Sequence, residues 1–73
     1  MNLSDRDELL AVKINRVFAA ARSLRGRNLP GYSNSCEKLD ALRNQLETGD
    51  ADRMKRILNR VDELSGGTFY WDP

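Results

Sequence analysis

Three stretches of this chain repeat apolar residues at the spacing of an α-helix, and residues that start or stop helices stand at their borders. Ser4 offers an N-cap side chain ahead of the first stretch, and Gly26 after it tolerates the left-handed conformation in which many helices end. Asp50 suits the N-cap of the last stretch, which Gly66 and Gly67 follow. Because the chain has only 73 residues, these stretches leave room for little else, and an all-α fold is predicted.

The predicted helices cover about residues 5–25, 35–48 and 51–65 of a single domain, 1–73. Acidic residues fill the first turn of the first helix and arginines its last turn, as the helix dipole favours. Its apolar face comprises Leu3, Leu10, Ile14, Val17, Ala21 and Leu24, widened by Ala11 and Phe18. The apolar face of the second helix comprises Cys36, Leu39, Leu42 and Leu46. The apolar face of the third comprises Met54, Ile57, Leu58, Val61 and Leu64.

The segment 26–33 is predicted to be a loop ahead of the second helix. Pro30-Gly31 is a common turn dipeptide, and a proline disfavours the helical conformation of the residue before it. Asn34 and Glu37 have the spacing of an N-cap and its N3 partner, which predicts that the second helix begins after Asn34. Only a few residues separate the second and third helices, so an antiparallel arrangement of the two is expected.

The C-terminal tail, residues 66–73, begins with two glycines and contains three consecutive aromatic residues, Phe69, Tyr70 and Trp71. Two interpretations are open. The rings plug one end of the bundle, or Tyr70 and Trp71 are exposed anchors for a partner. In either case the predicted architecture is a small three-helix bundle with an aromatic C-terminal tail laid against it.

The sequence lacks the residues that most catalytic sites use. It contains no histidine and one cysteine, Cys36, so the commonest general base and a Cys-His pair are both missing. Asp50 and Asp52 are adequately explained as helix-capping and first-turn acids. No glycine-rich loop precedes a helix. We therefore expect no enzymatic activity, no cofactor, no metal site and no small-molecule substrate.

Composition also limits the location and the partners. The N-terminal segment has acidic residues where a secretory leader needs basic ones, and no apolar run approaches the roughly 20 residues of a membrane span. We expect a cytoplasmic protein without a membrane partner. The net charge of +1 is far below the basic excess that is typical of duplex-DNA binders.

One candidate binding surface lies on the first helix, away from its apolar face. Leu9 and Val12 project there beside Lys13 and Arg16. These apolar residues either receive the aromatic tail and belong to the core, or they dock a partner as apolar anchors within a charged rim.

A second candidate surface consists of Arg22, Arg25 and Arg27, with Tyr32 close by in the sequence. The arginines either complement the helix dipole in solvent or bind an acidic protein surface or a phosphate backbone. A further row on the third helix, Arg53, Arg56 and Arg60, is interpreted as a solvated face. Whether the two arginine groups lie together on one basic side of the protein is left open.

The segments MNLSDRDELLAVKINRVF, GRNLPGYSNS and GGTFYWDP, together with the length of the chain, resemble a small transcription regulator of lytic bacteriophages. The resemblance extends over the whole chain but assigns no contact residues. It implies binding to core subunits of host bacterial RNA polymerase, near the N-terminal segment of the largest subunit and the flap at the RNA exit channel. It also implies inhibition of initiation by displacing sigma, and suppression of termination with a host elongation factor.

Two other functions fit the same residues. Arg22, Arg25 and Arg27 suit a small helical nucleic-acid-binding protein, whose affinity would fall steeply with salt. The same surfaces also suit an inhibitor of another host enzyme or of a defence complex. If polymerase is the partner, RNA lies near the bound protein.

Overall fold

The computed structural model describes residues 3–27 and 29–71, which form three helices and a C-terminal tail. The helices are α1 (Asp5–Leu24), α2 (Leu29–Glu47) and α3 (Ala51–Leu64), and no strand occurs in the described residues. The predicted three-helix bundle with an aromatic tail is thereby confirmed.

Helix α1 begins and ends at the residues that its capping pattern predicts. The Ser4 hydroxyl accepts a hydrogen bond of 3.2 Å from the backbone N–H of Asp7. At the other end Gly26 has a φ of 76°, and the N–H of Arg27 donates to the carbonyl of Leu24 at 3.0 Å. Because a positive φ costs glycine little, this tight turn reverses the chain directly after α1.

Helix α2 begins at Leu29, so the prediction of a loop over 26–33 is wrong, and only residues 25–28 connect α1 and α2. The prediction failed because Pro30 was interpreted as a helix breaker. In the first turn of a helix the missing proline N–H has no intrahelical partner to lose, and the fixed φ suits the helix. Asn34 and Glu37 therefore lie inside α2 and do not cap it.

Helix α3 has the predicted caps. The Asp50 carboxylate accepts a 2.9 Å hydrogen bond from the N–H of Asp52. After Leu64 the chain turns at Gly66 and Gly67, with φ values of 69° and 83°. The N–H of Gly67 donates to the carbonyl of Asp62 at 2.8 Å, which satisfies a carbonyl that the end of the helix leaves unpaired.

The core is built around α1. Both α2 and α3 pack mainly on α1 and contact each other only slightly. The buried face of α1 is centred on Ala11 and Phe18. Both are fully buried, whereas Leu10, Val17 and Leu24 are half-buried. The buried residues of the whole core are Ala11, Ile14, Phe18, Ala21, Leu39, Leu42, Leu46, Ile57 and Val61.

The aromatic tail packs against this core at Phe18. The ring centroids of Phe69 and Tyr70 lie 5.1 Å and 5.4 Å from that of Phe18, both in edge-on geometry. Trp71 lies edge-on to Phe69 at 5.1 Å. These are the distances and angles at which aromatic pairs attract one another, so the tail covers Phe18 and extends the core beyond the helices.

Candidate functional site

Two arginines of α3 form ion pairs with the first turn of α1. Arg53 donates from Nη2 and Nε to Oδ1 of Asp7 at 2.8 Å and 3.0 Å. Arg60 donates from Nε to both carboxylate oxygens of Glu8, at 2.9 Å and 3.1 Å. Because neighbouring residues leave a helix about 100° apart, the two pairs hold the first turn of α1 from two sides.

These ion pairs correct the interpretation of the α3 arginines as a solvated face. Arg53 and Arg60 are engaged with carboxylates of α1, and Arg60 also bonds Glu63 at 3.2 Å. Only Arg56 of that row is exposed. Carboxylates of α1 neutralise Arg53 and Arg60. These two arginines therefore do not add to the positive charge of the arginines at residues 22–27.

The Arg53–Asp7 pair changes the ionisation of the carboxyl group. The hydrogen bond from Arg53 lowers the pKa of Asp7 below its ordinary value of 3.8, and the positive charge of the same arginine acts in the same direction. The Asp7 side chain is mostly shielded, with 15% of its surface exposed. Asp7 belongs to the acidic first turn of α1, and nothing in the spacing of the sequence could indicate its α3 partner.

The outer face of α1, defined here as Leu9, Val12, Lys13 and Arg16, is directed away from the core. Leu9 is 70% exposed, Lys13 and Arg16 are exposed, and Val12 is half-buried. Within residues 3–27 and 29–71 neither cation makes an ion pair. The interpretation that Leu9 receives the aromatic tail is wrong, because the tail packs on Phe18, about 180° around the helix from Leu9.

A second surface forms where α1 turns into α2. We call it the turn surface, and it consists of the exposed Arg22, Arg25 and Arg27 with Tyr32 and Tyr70. A hydrogen bond between the side chains of Tyr32 and Cys36 raises the pKa of Tyr32, Tyr70 also raises it, and Arg25 lowers it. Tyr70 packs edge-on against Phe18, and Phe18 and Arg22 line the same cleft, so the structure brings Tyr70 and Arg22 to one end of the bundle.

The two predicted anchors of the tail differ in exposure. Trp71 is half-buried, with its ring edge-on to Phe69 and the Arg43 guanidinium 6.0 Å from its ring centre. Tyr70 is 44% exposed and packs edge-on against Phe18 of the core. Trp71 thus ties the tail to α2, whereas Tyr70 remains accessible to a partner.

Two clefts border these surfaces. One lies between the first turn of α1 and α3, and its charged lining alternates in sign: Asp5, Glu8, Arg56, Arg60 and Glu63. The other lies beside the turn surface, where Arg22 stands at a cleft lined by Phe18, Leu64 and Thr68. The second combines Arg22, which makes no ion pair in the described residues, with the apolar side chains of Phe18 and Leu64.

Among the described residues, no cluster of three or more histidine, cysteine or acidic side chains is arranged to hold a metal ion. None of the helices described here combines the length and the apolar character that crossing a membrane requires. The chain matches no protein-family model, no curated protein and no solved structure.

Proposed function

We propose that this chain is a non-catalytic binding protein that docks on bacterial RNA polymerase through the outer face of α1. The exposure of Leu9 carries the proposal. Leu9 is 70% exposed in the central helix of the bundle, and Lys13 and Arg16 beside it make no ion pair in the described residues. This is the composition of an apolar anchor within a charged rim.

The chemistry of this face favours a protein partner. Burying a leucine side chain gains about 1.5–3 kcal/mol, which a phosphate backbone cannot supply but an apolar pocket can. Lys13 and Arg16 stand at four and seven residues from Leu9, so they flank it on the same side of the helix. Cations at the rim of an interface mainly orient the partner and speed the encounter, and they fit an acidic rim around such a pocket.

The identity of the partner is supported by the resemblance to small phage transcription regulators. We place binding at the N-terminal segment of the largest subunit and at the flap near the RNA exit channel, in the cytoplasm of an infected bacterium. Occupying that surface displaces sigma and inhibits initiation, and the bound protein suppresses termination together with a host elongation factor. Such a protein acts by stoichiometric occupancy and uses neither a cofactor nor a small-molecule substrate.

The test is a pull-down and titration with purified bacterial core polymerase. We expect wild-type protein to bind at micromolar concentration or below. Leu9→Ala should weaken binding about 5-fold or more, the loss typical of a central anchor, without unfolding the domain. Absence of association at micromolar concentration, or full affinity of Leu9→Ala, contradicts the proposal.

A charge-matched pair of double variants tests the rim. Lys13→Glu with Arg16→Glu should reduce binding, chiefly through a slower association rate. Lys55→Glu with Arg56→Glu changes the net charge equally on the exposed side of α3 and should retain most of the affinity. Equal losses in both variants would assign the effect to total charge. Competition between each variant and sigma for core polymerase tests whether the same binding inhibits initiation.

A further inference from the structure

The turn surface lies in a long stretch of the chain that has no acidic residue. Between Glu8 and Glu37 the sequence contains no aspartate or glutamate, and its five cations are Lys13, Arg16, Arg22, Arg25 and Arg27. Three of the five are at the turn surface, and none of the three makes an ion pair within residues 3–27 and 29–71. Their charge is therefore available to an external anion.

The backbone holds these arginines in place. The hydrogen bond from Arg27 to the carbonyl of Leu24 and the positive φ of Gly26 close a tight turn. Arg25 and Arg27 stand on either side of Gly26 in that turn. Arg22 stands one turn of α1 earlier, at the cleft that Phe18 and Leu64 line. Because the backbone that carries these arginines is already fixed, an anion that binds there pays a smaller entropic cost than on a mobile loop.

An aromatic ring is part of the same surface. Tyr70 is 44% exposed and is steadied by the edge of Phe18 at 5.4 Å. Phe18 also lines the cleft at which Arg22 stands, so the phenol ring of Tyr70 lies at the same end of the bundle as that arginine. Leu9 and Tyr70 are the large apolar side chains that are exposed in the described residues, so Tyr70 gives the turn surface an exposed aromatic ring.

We infer that the turn surface binds single-stranded nucleic acid. Arg22, Arg25 and Arg27 contact consecutive phosphates, and an unpaired base stacks on Tyr70. Cationic grooves with aromatic platforms are the usual means of binding single strands, because every base has a face that stacks. A duplex hides its base faces, whereas a single strand leaves them free to stack on Tyr70.

This activity is separate from docking on polymerase. Arg22 leaves α1 about 120° around the helix from Arg16, so the turn surface and the outer face of α1 are distinct. Variants of the turn surface therefore test nucleic-acid binding, and the Leu9→Ala variant tests polymerase docking. Either proposal can fail alone.

The first experiment is fluorescence anisotropy at low salt with labelled oligouridine and oligothymidine of about twelve nucleotides. We expect micromolar binding that weakens linearly with the logarithm of salt concentration. Arg25→Glu with Arg27→Glu should lower affinity about 10-fold or more and flatten the salt dependence. Lys55→Glu with Arg56→Glu, the same charge change on α3, should cost less than about 3-fold. Absence of wild-type binding, or equal losses in the two variants, overturns the inference.

The two oligonucleotides separate the sources of the strand. Tighter binding of oligouridine supports a site for RNA, and tighter binding of oligothymidine supports a site for an unwound DNA strand. A duplex of the same length should bind more weakly than either single strand. If the duplex binds as tightly as the single strands, the inference that a base stacks on Tyr70 is wrong, and the surface only attracts phosphate.

Tyr70 has a matched pair of substitutions. Tyr70→Ala should lower oligouridine affinity about 5-fold or more, the range of one stacked base, and Tyr70→Phe should retain it because the ring is preserved. Photocrosslinking of wild-type protein to thiouridine-containing RNA gives a second measurement that does not depend on the fold of the alanine variant. Crosslinks at Tyr70 or Tyr32 support the inference, and crosslinks confined to the outer face of α1 overturn it.

Discussion

Single residues carry much of the stability of so small a bundle, and Phe18 is the clearest example. Its ring is 2% exposed and contacts the rings of both Phe69 and Tyr70. It therefore joins two parts of the chain that are distant in sequence, the middle of α1 and the tail. A domain of this length has a total stability of only a few kcal/mol, so one core side chain decides whether it folds.

Phe18→Ala should leave the protein largely unfolded at ambient temperature. Truncation of a buried phenylalanine costs about 3–5 kcal/mol, which is comparable with the whole stability of a small domain. Circular dichroism melts of the variant and of Leu9→Ala, which removes an exposed side chain of the same helix, provide the measurement. A melting temperature of Phe18→Ala near that of wild type would contradict the packing described for the tail.

Asp7 should make folding sensitive to acid. Its pKa is lowered in the folded state by the hydrogen bond from Arg53, so between the folded and unfolded pKa values the unfolded chain binds more protons. This contribution to stability is present above the ordinary value of 3.8 and is lost as the pH falls through the folded pKa. Urea unfolding across that pH range measures the effect.

The matched control for Asp7→Asn is Asp40→Asn. Asp40 is exposed on α2 and makes no ion pair in the described part of the chain. We expect Asp7→Asn to flatten the pH dependence below the ordinary carboxyl pKa and Asp40→Asn to leave the slope nearly unchanged. Equal slopes in both variants would mean that the Arg53 pair does not contribute in solution.

At the scale of the helices, capping chemistry determines where each one ends. Gly66 has a φ of 69°, and a Cβ added there would meet no other atom within 4 Å. Gly66→Ala therefore isolates backbone strain, which should cost about 1–2 kcal/mol. Gly49 is free of a positive φ, and a Cβ there would be in ordinary contact with neighbours at 3.5 Å and 3.7 Å. Gly49→Ala should be nearly neutral, and equal melting temperatures of the two variants would contradict this account.

The sequence was sufficient to predict the elements whose signals are local. Ser4, Gly26, Asp50 and Gly66 act within a few residues of their own position, so the starts and ends of α1 and α3 followed from them. The start of α2 was missed because proline has opposite effects in the first turn and in the interior of a helix, and the position of Pro30 in the helix was unknown.

The candidate site was predictable in part for a related reason. Helical geometry alone placed Leu9, Lys13 and Arg16 on one outward face. The ion pairs of Arg53 and Arg60 depend on how α3 crosses α1, which no spacing within either helix specifies. The packing of Tyr70 on Phe18 likewise depends on the path of the tail after two glycines, and the local sequence pattern does not determine that path.

At the scale of the whole molecule, the tail contributes to the joining of α2 and α3, which barely contact each other. It leaves the end of α3, packs on Phe18 of α1 and brings Trp71 to Arg43 of α2. Deleting residues 68–73 should therefore lower the melting temperature, since Phe18 loses two aromatic contacts of about 0.5–1.5 kcal/mol each and the burial that accompanies them.

Thermal denaturation of the truncated chain, compared with the Tyr70→Ala variant, checks this prediction. Tyr70→Ala removes one of the two rings on Phe18 and should give an intermediate melting temperature. We also expect the truncation to impair function. An unchanged melting temperature with lost function would show that the tail serves only a partner and not the core.

The central position of α1 has a consequence for how the sequence can vary. One side of α1 fills the core, its first turn pairs with Arg53 and Arg60, and its opposite side carries the outer face. Most of this helix therefore takes part in the core, the ion pairs or the outer face, whereas the exposed side of α2, with residues such as Glu37 and Asn44, has no role in the packing. Under selection for both folding and docking, substitutions should accumulate on α2 while α1 stays nearly unchanged.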